Sequence, residues 1–91
     1  MSADERIYVG SKPILAYVTA VATSLNRADT VKVMARGRAI STAVDVVEVT
    51  KRSFITDLVV DGIEIGTERL SGEHGERNVS SITITLSRSK E

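Results

Sequence analysis

Ala35-Arg36-Gly37-Arg38-Ala39-Ile40-Ser41-Thr42-Ala43-Val44-Asp45 follows a short β-branched run and leads into an amphipathic pattern. It reads as a turn where a strand ends, two arginines are presented and a helix begins. Arginine in such a turn suits phosphate: the guanidinium stays charged and forks onto phosphate oxygens, while nearby helix N-terminal amides add donors and positive potential. The plain alternative is a solvated strand-to-helix connection.

Upstream, Thr30 to Arg36 alternates, with Val31, Val33 and Ala35 on one side and Lys32, Met34 and Arg36 on the other. That is the period of a half-buried strand, with Arg36 on its open face. Downstream, a helix is expected from about Arg38 to Phe54, with Ile40, Ala43, Val44, Val47 and Lys51 along one stripe and Glu48 four residues before Arg52. Its Ser, Thr and Val content lowers intrinsic propensity, so packing must hold it.

Nearer the N-terminus, Ile7-Tyr8-Val9 is a short strand closed by Gly10. Ser11-Lys12-Pro13 then reads as a helix entry, with Ser11 able to cap and Pro13 tolerated in a first turn. Ile14, Tyr17, Val18, Val21, Ala22 and Leu25 recur at helical spacing up to about Asn26. Beyond the second helix, Ile55-Thr56-Asp57 is a break, and Leu58 to Leu70 is a long strand in which Gly62 and Gly66 point to a bend or bulge. Ser71 to Arg77 forms a polar hairpin tip, and Ser80 to Arg88 alternates Ile82, Ile84 and Leu86 with hydroxyl residues. The order is β-α-β-α-β-β, an α+β two-layer sandwich in one domain over residues 1–91, with a hairpin arm at about 58–88.

The totals bound the function. A chain of 91 residues buries only a modest core unless association buries more, so a homo-oligomer is expected. Cysteine is absent, which removes disulfides and thiol chemistry. No run is long and apolar enough to span a bilayer, and Met1 to Arg6 lacks signal-peptide order, so a cytoplasmic protein is expected. Twelve bases balance twelve acids, yet Gly10 to Val44 holds five bases against Asp29 alone, a net of +4. From Asp45 onward six bases face nine acids, a net of −3. Any basic surface must therefore come mainly from the first half.

Val9-Gly10-Ser11-Lys12-Pro13-Ile14, Ala35 to Ser41 and Ala43-Val44-Asp45 together resemble the Alba proteins, small archaeal chromatin and RNA-binding proteins with eukaryotic relatives. The resemblance runs from about Ile7 to Ser87. It implies the same β-α-β-α-β-β fold, similar to the C-terminal domain of translation initiation factor three. It further implies a homodimer, with higher assembly on DNA, that binds double-stranded DNA and also RNA with little sequence preference, coating and compacting chromatin. By position, Ser11, Lys12, Arg36 and Arg38 map to the basic body near the dimer axis. Arg69 and Arg77 flank the hairpin tip that reaches toward a minor groove, and Phe54 maps to a contact between neighbouring dimers. A chromosome-associated cytoplasmic location follows, with no membrane, cofactor or small-molecule substrate. The alternative is an RNA-binding subunit of a ribonucleoprotein.

Two departures stand out. Ser11-Lys12 replaces the two lysines common in the family, removing the residue implied as an acetylation site in some relatives, and Met34 stands where many members carry lysine. Glu73 and Glu76 also balance the charge of the tip, so weaker and more salt-sensitive binding than in a basic member is expected. Phe54 is open to two readings, core packing or the contact between dimers. Arg27 and Lys32 are either solvated or part of the basic surface. His74, the only histidine, has no His or Cys partners for a metal and reads as exposed. No nucleophile elbow, phosphate-binding glycine loop or paired carboxylate site is present, so the chain is not expected to be an enzyme.

Overall fold

The computed structural model describes residues 4–89; Met1 to Ala3, Lys90 and Glu91 lie outside them. Six elements follow in order: β1 (Asp4–Val9), α1 (Ile14–Leu25), β2 (Thr30–Arg36), α2 (Ala39–Ser53), β3 (Leu58–Gly72) and β4 (Gly75–Arg88). They form the expected β-α-β-α-β-β sandwich, with a sheet ordered β1-β2-β4-β3. β1 runs parallel to β2, while β4 is antiparallel to both of its neighbours.

Alternation in β2 sets the layers. Val31, Val33 and Ala35 are buried, and their cross-strand partners Leu86, Ile84 and Ile82 are buried beside them. Both helices cover this face. α1 contributes Tyr17, Val18, Val21 and Leu25, as the helical spacing predicts. On α2 the expected Ala43 and Val47 are buried and Ile40 packs partly buried against the core, but Val46 and Thr50 complete the stripe in place of Val44 and Lys51, which are exposed. The rotation is possible because Thr50, at zero exposure, donates its hydroxyl to the Val46 carbonyl at 2.7 Å and so enters the core satisfied. Among the described residues Glu48 and Arg52 form no ion pair with each other.

Other boundaries differ in instructive ways. β1 starts at Asp4, because Asp4, Glu5 and Arg6 pair in parallel register with Thr30, Val31 and Lys32 although their side chains are polar. The register of the β3–β4 pair shifts between Val60 and Gly62, so the bulge expected of one glycine is there. Gly66 pairs regularly with Ser81 and makes no bulge. The tip is tighter than the polar run suggests: Gly72 pairs with Gly75, leaving only Glu73 and His74 between, and Gly75 takes a φ of +97°.

Pairing between β2 and β4 ends at Arg36 and Ser81, extended only by the Gly37 amide donating to the Ser80 carbonyl. From Thr67 to Val79 the β3–β4 hairpin therefore pairs only with itself. At about 3.3 Å per residue it projects roughly 20 Å from the body, consistent with a molecule measuring 49 × 24 × 20 Å.

Candidate nucleic-acid interface

The parallel register of β1 and β2 creates the site. Val9 lies opposite Ala35, so the two strands end side by side and the turns that follow them leave the same edge of the sheet. The two arginine- and lysine-bearing motifs, more than twenty residues apart in sequence, are brought together. Gly10, Ser11, Arg36, Arg38, Ala39 and Thr42 surround one open depression, and Lys12 is the next residue in the chain after Ser11. Both helices begin here. Neither α1 nor α2 has a side-chain cap or an acidic residue in its first turn, so the positive end of each helix dipole is left uncompensated.

Each turn has its own local cause. Gly37 adopts a φ of +56°, and its carbonyl accepts the Ile40 amide at 3.1 Å to open α2. Arg38, with helical φ and ψ of −64° and −22°, stands at the cap position immediately before α2. In the first turn Pro13 stands at the cap position with φ −57° and ψ 145°, and its carbonyl accepts the Ala16 amide. Ser11 does not cap α1 as expected. The Tyr17 hydroxyl, reaching back from the first turn of the helix, accepts the amides of Gly10 at 2.9 Å and Lys12 at 3.0 Å. Those two donors are therefore spent inside the protein. What the turn presents outward is the Ser11 and Lys12 side chains.

The charges are not equally available. Arg36 lies 3.4 Å from Glu68, which partly neutralises it. Lys12 and Arg38 are exposed and form no ion pair among the described residues. On the arm, Arg69 lies 3.4 Å from Glu76. Arg69 pairs with Asn78 and Arg77 with Leu70, so the two arginines occupy successive rungs and project from opposite faces of the hairpin. They do not form one patch.

The remaining candidates fall away from the depression. Phe54, at 58% exposure, is not core, which removes one of its two readings. Arg27 sits at the opposite end of α1, roughly 18 Å along the helix axis. It forms a two-pronged pair with Glu5 at 2.7 and 3.0 Å. That hydrogen bond, helped by Ser24, holds the Glu5 carboxyl below its ordinary range and raises the Arg27 guanidinium. Lys32 lies on the face of the sheet away from the helices, as its alternation predicts. Tyr8 shares that face and lines a second cleft beside Arg36, a position missed in the sequence. Its phase opposite Ile7 and Val9 was the available signal. Among the described residues no group of three His, Cys, Asp or Glu side chains could hold a metal ion, and no helix is long and apolar enough to cross a membrane.

The Alba family model matches residues 5–67. A DNA/RNA-binding protein Alba from Methanothrix thermoacetophila is 52% identical over 87 residues, covering 94% of this chain and 98% of its own. Among solved structures, Alba from Thermoplasma volcanium superposes with a TM-score of 0.87 at 51% identity, covering 91% of this chain and 99% of that one. The ALBA1 protein of Trypanosoma brucei does so with a TM-score of 0.77 at 28% identity, covering 93% of this chain and 69% of that one.

Proposed function

The chain belongs to the Alba family, and from that premise we propose that it is a homodimeric protein that binds the backbones of double-stranded DNA and of RNA with little sequence preference. It is not an enzyme: its relatives are named for binding DNA and RNA. The observation that carries the binding reading is the depression where the uncapped N-terminus of α2 meets Ser11, Arg36 and Arg38, with Lys12 and the uncapped start of α1 following directly in the chain from Ser11. Two phosphate-seeking devices, oriented amides and guanidinium forks, converge there without a base-reading element. Affinity then comes from counterion release, and the arms add contacts to the groove through Arg69 and Arg77.

Dimerisation is supported by an apolar face that the single chain leaves open. Val60, Ile63 and Ile65 lie opposite Leu86, Ile84 and Ile82 on the helix side of the sheet, yet Ile63 is 60% and Ile65 83% exposed because α2 packs mainly on β2 and β1. A contiguous apolar strip of this kind is what a second copy would cover. Exposed Phe54 supports a further contact between dimers lined up on DNA, and with it coating and compaction of the DNA; a chromosome-associated, cytoplasmic location is part of the same proposal.

The test is a salt titration of binding to a mixed-sequence DNA duplex and to structured RNA, with wild type and Arg36→Ala/Arg38→Ala. Log affinity should fall with log salt at a slope of about 0.9 per phosphate contact. The double variant should lower that slope by roughly three to four if both arginines of both subunits contact phosphate. A variant that kept its slope and changed its preference among sequences would refute backbone binding. Far tighter binding to RNA at equal salt would instead favour the ribonucleoprotein reading.

A further inference from the structure

The sheet face away from the helices has no role in the backbone reading, yet it carries an organised surface. Tyr8, 66% exposed, stands at the end of β1 in a cross-strand row with Met34, Thr83 and Glu64. One row away on one side are Arg6, Lys32 and Thr85; on the other are Arg36 and Ser81. Tyr8, Met34, Arg36, Glu68, Ser81 and Thr83 line this face's part of a cleft of about 340 Å³ at the base of the arm, which also reaches Ala39 at the start of α2. That volume lies at the low end of ligand-binding clefts, roughly 300–1,000 Å³, a size for one planar group rather than a duplex.

We propose that this cleft is a stacking platform for one unpaired base of single-stranded RNA or DNA. The proposal rests on the nucleic-acid-binding reading and names a second mode within it. Three observations carry it. The Tyr8 ring is exposed on the open face of the sheet, with the Met34 side chain beside it as a further apolar surface. Positive charge brackets the ring along the strand direction, through Arg6 and Lys32 on one side and Arg36 on the other, so a backbone running along the strands meets cations before and after the stacked base. Of the acids on this face, Glu68 is held by Arg36, Glu64 stands three strands from Tyr8 beyond Met34 and Thr83, and Asp4 lies two rows from Tyr8 beyond Arg6. A base inside a duplex has both faces covered by its neighbours and cannot stack on the ring, whereas an unpaired base can. The cleft and the phosphate depression share Gly10, Arg36 and Ala39, so a strand leaving one enters the other.

Binding of a labelled single-stranded RNA of about twelve nucleotides and of a blunt DNA duplex, at matched ionic strength, tests this with Tyr8→Ala, Tyr8→Phe and Tyr8→Trp. Because Tyr8 is mostly exposed, these variants retain the fold, which thermal melts check. Tyr8→Ala should lose roughly five- to a hundredfold in affinity for the single strand and less than about twofold for the duplex. Tyr8→Phe should bind as wild type does. The chain has no tryptophan, so the fluorescence of Tyr8→Trp reports the platform alone, and the single strand should quench it. Unchanged single-strand affinity of Tyr8→Ala, or an equal loss on both probes, overturns the platform and leaves backbone binding standing. A wild type that bound neither probe would overturn both, and single-strand binding lost in Tyr8→Ala without any duplex binding would retain the platform and refute the duplex reading.

Discussion

The Lys12 amide donates to the Tyr17 hydroxyl at 3.0 Å, tying the loop that carries the first basic motif to the helix it precedes. The same oxygen accepts the Gly10 amide at 2.9 Å, so one phenol satisfies two main-chain donors where a serine cap was expected. Tyr17→Phe keeps the buried ring and strands both amides. Two lost hydrogen bonds of this kind destabilise by about 1–3 kcal/mol in total, a drop in Tm that calorimetry would read. Duplex binding should weaken too, because Lys12 and Ser11 lose the anchor that places them. A Tyr17→Phe variant with unchanged Tm would show that water replaces the hydroxyl at no loss.

Arg36 and Arg38 are two residues apart but not electrostatically equal. Glu68 faces Arg36 at 3.4 Å, and Arg38 has no such partner. At low salt Arg38→Ala should therefore weaken duplex binding more than Arg36→Ala. Glu68→Gln should strengthen binding by several-fold through release of Arg36, with the gain fading as salt rises. Surface pairs of this exposure contribute little to stability, about 0–1 kcal/mol, so the variant should melt as wild type does. Equal losses for the two arginines would mean that Glu68 leaves Arg36 on binding without penalty.

Gly37 is required by backbone geometry rather than by crowding. Its φ is +56°, while a Cβ built there would meet only the Val79 Cγ1 at 3.5 Å, an ordinary contact. Gly37→Ala should thus destabilise by about 1–2 kcal/mol, the penalty for an L-residue in the left-handed region. Gly37→Asn should lose less. Chemical denaturation of the two variants distinguishes strain from a clash, which would order them the other way.

Much of this molecule was legible in the chain because its signals were local. The bounds of β2, the buried faces of α1 and β2 and the bulge before Gly62 follow from period and glycine placement alone. What was not legible depended on partners distant in sequence. The α2 stripe turned because Thr50 can bury by bonding to Val46, which no apolar count reveals. Ser11 lost its capping role to a phenol six residues on. Arg69 and Arg77 flank one hairpin tip in sequence, yet the strand register sends them to opposite faces. The meeting of the two basic motifs needed the parallel β1–β2 pairing, and Tyr8 acquired its neighbours from the same pairing.

Glu5 joins β1 to the end of α1 through Arg27, and that hydrogen bond, with a smaller one from Ser24, lowers its pKa from the ordinary 4.5. A carboxyl with a depressed folded pKa stabilises fully above its unfolded value, and the contribution is lost as pH falls through the folded one. Stability should therefore decline on the acid side below about pH 4.5. Glu5→Gln should flatten that decline while changing little at neutral pH, since the pair is exposed to solvent. Melting curves across pH 2 to 7, a window set by the carboxylate reference value, would expose an acid limb unchanged by the substitution, the result that contradicts this assignment.

The exposed strip on β3 makes the sharpest prediction about assembly. Ile65 is 83% exposed in the single chain and faces the helix side of the sheet opposite Ile82, so a charge placed there harms no contact within one chain. Ile65→Arg should accordingly leave the fold intact by circular dichroism and yet shift micromolar protein from dimer to monomer in sedimentation. The melting temperature of wild type should rise with protein concentration, because dimerisation stabilises the folded state by mass action, and the variant should lose that dependence. Duplex affinity should fall with it, since two basic depressions no longer act on one ligand. A variant that sedimented as wild type does would move the subunit contact away from β3, and a wild-type monomer at micromolar concentration would remove the two-subunit surface altogether.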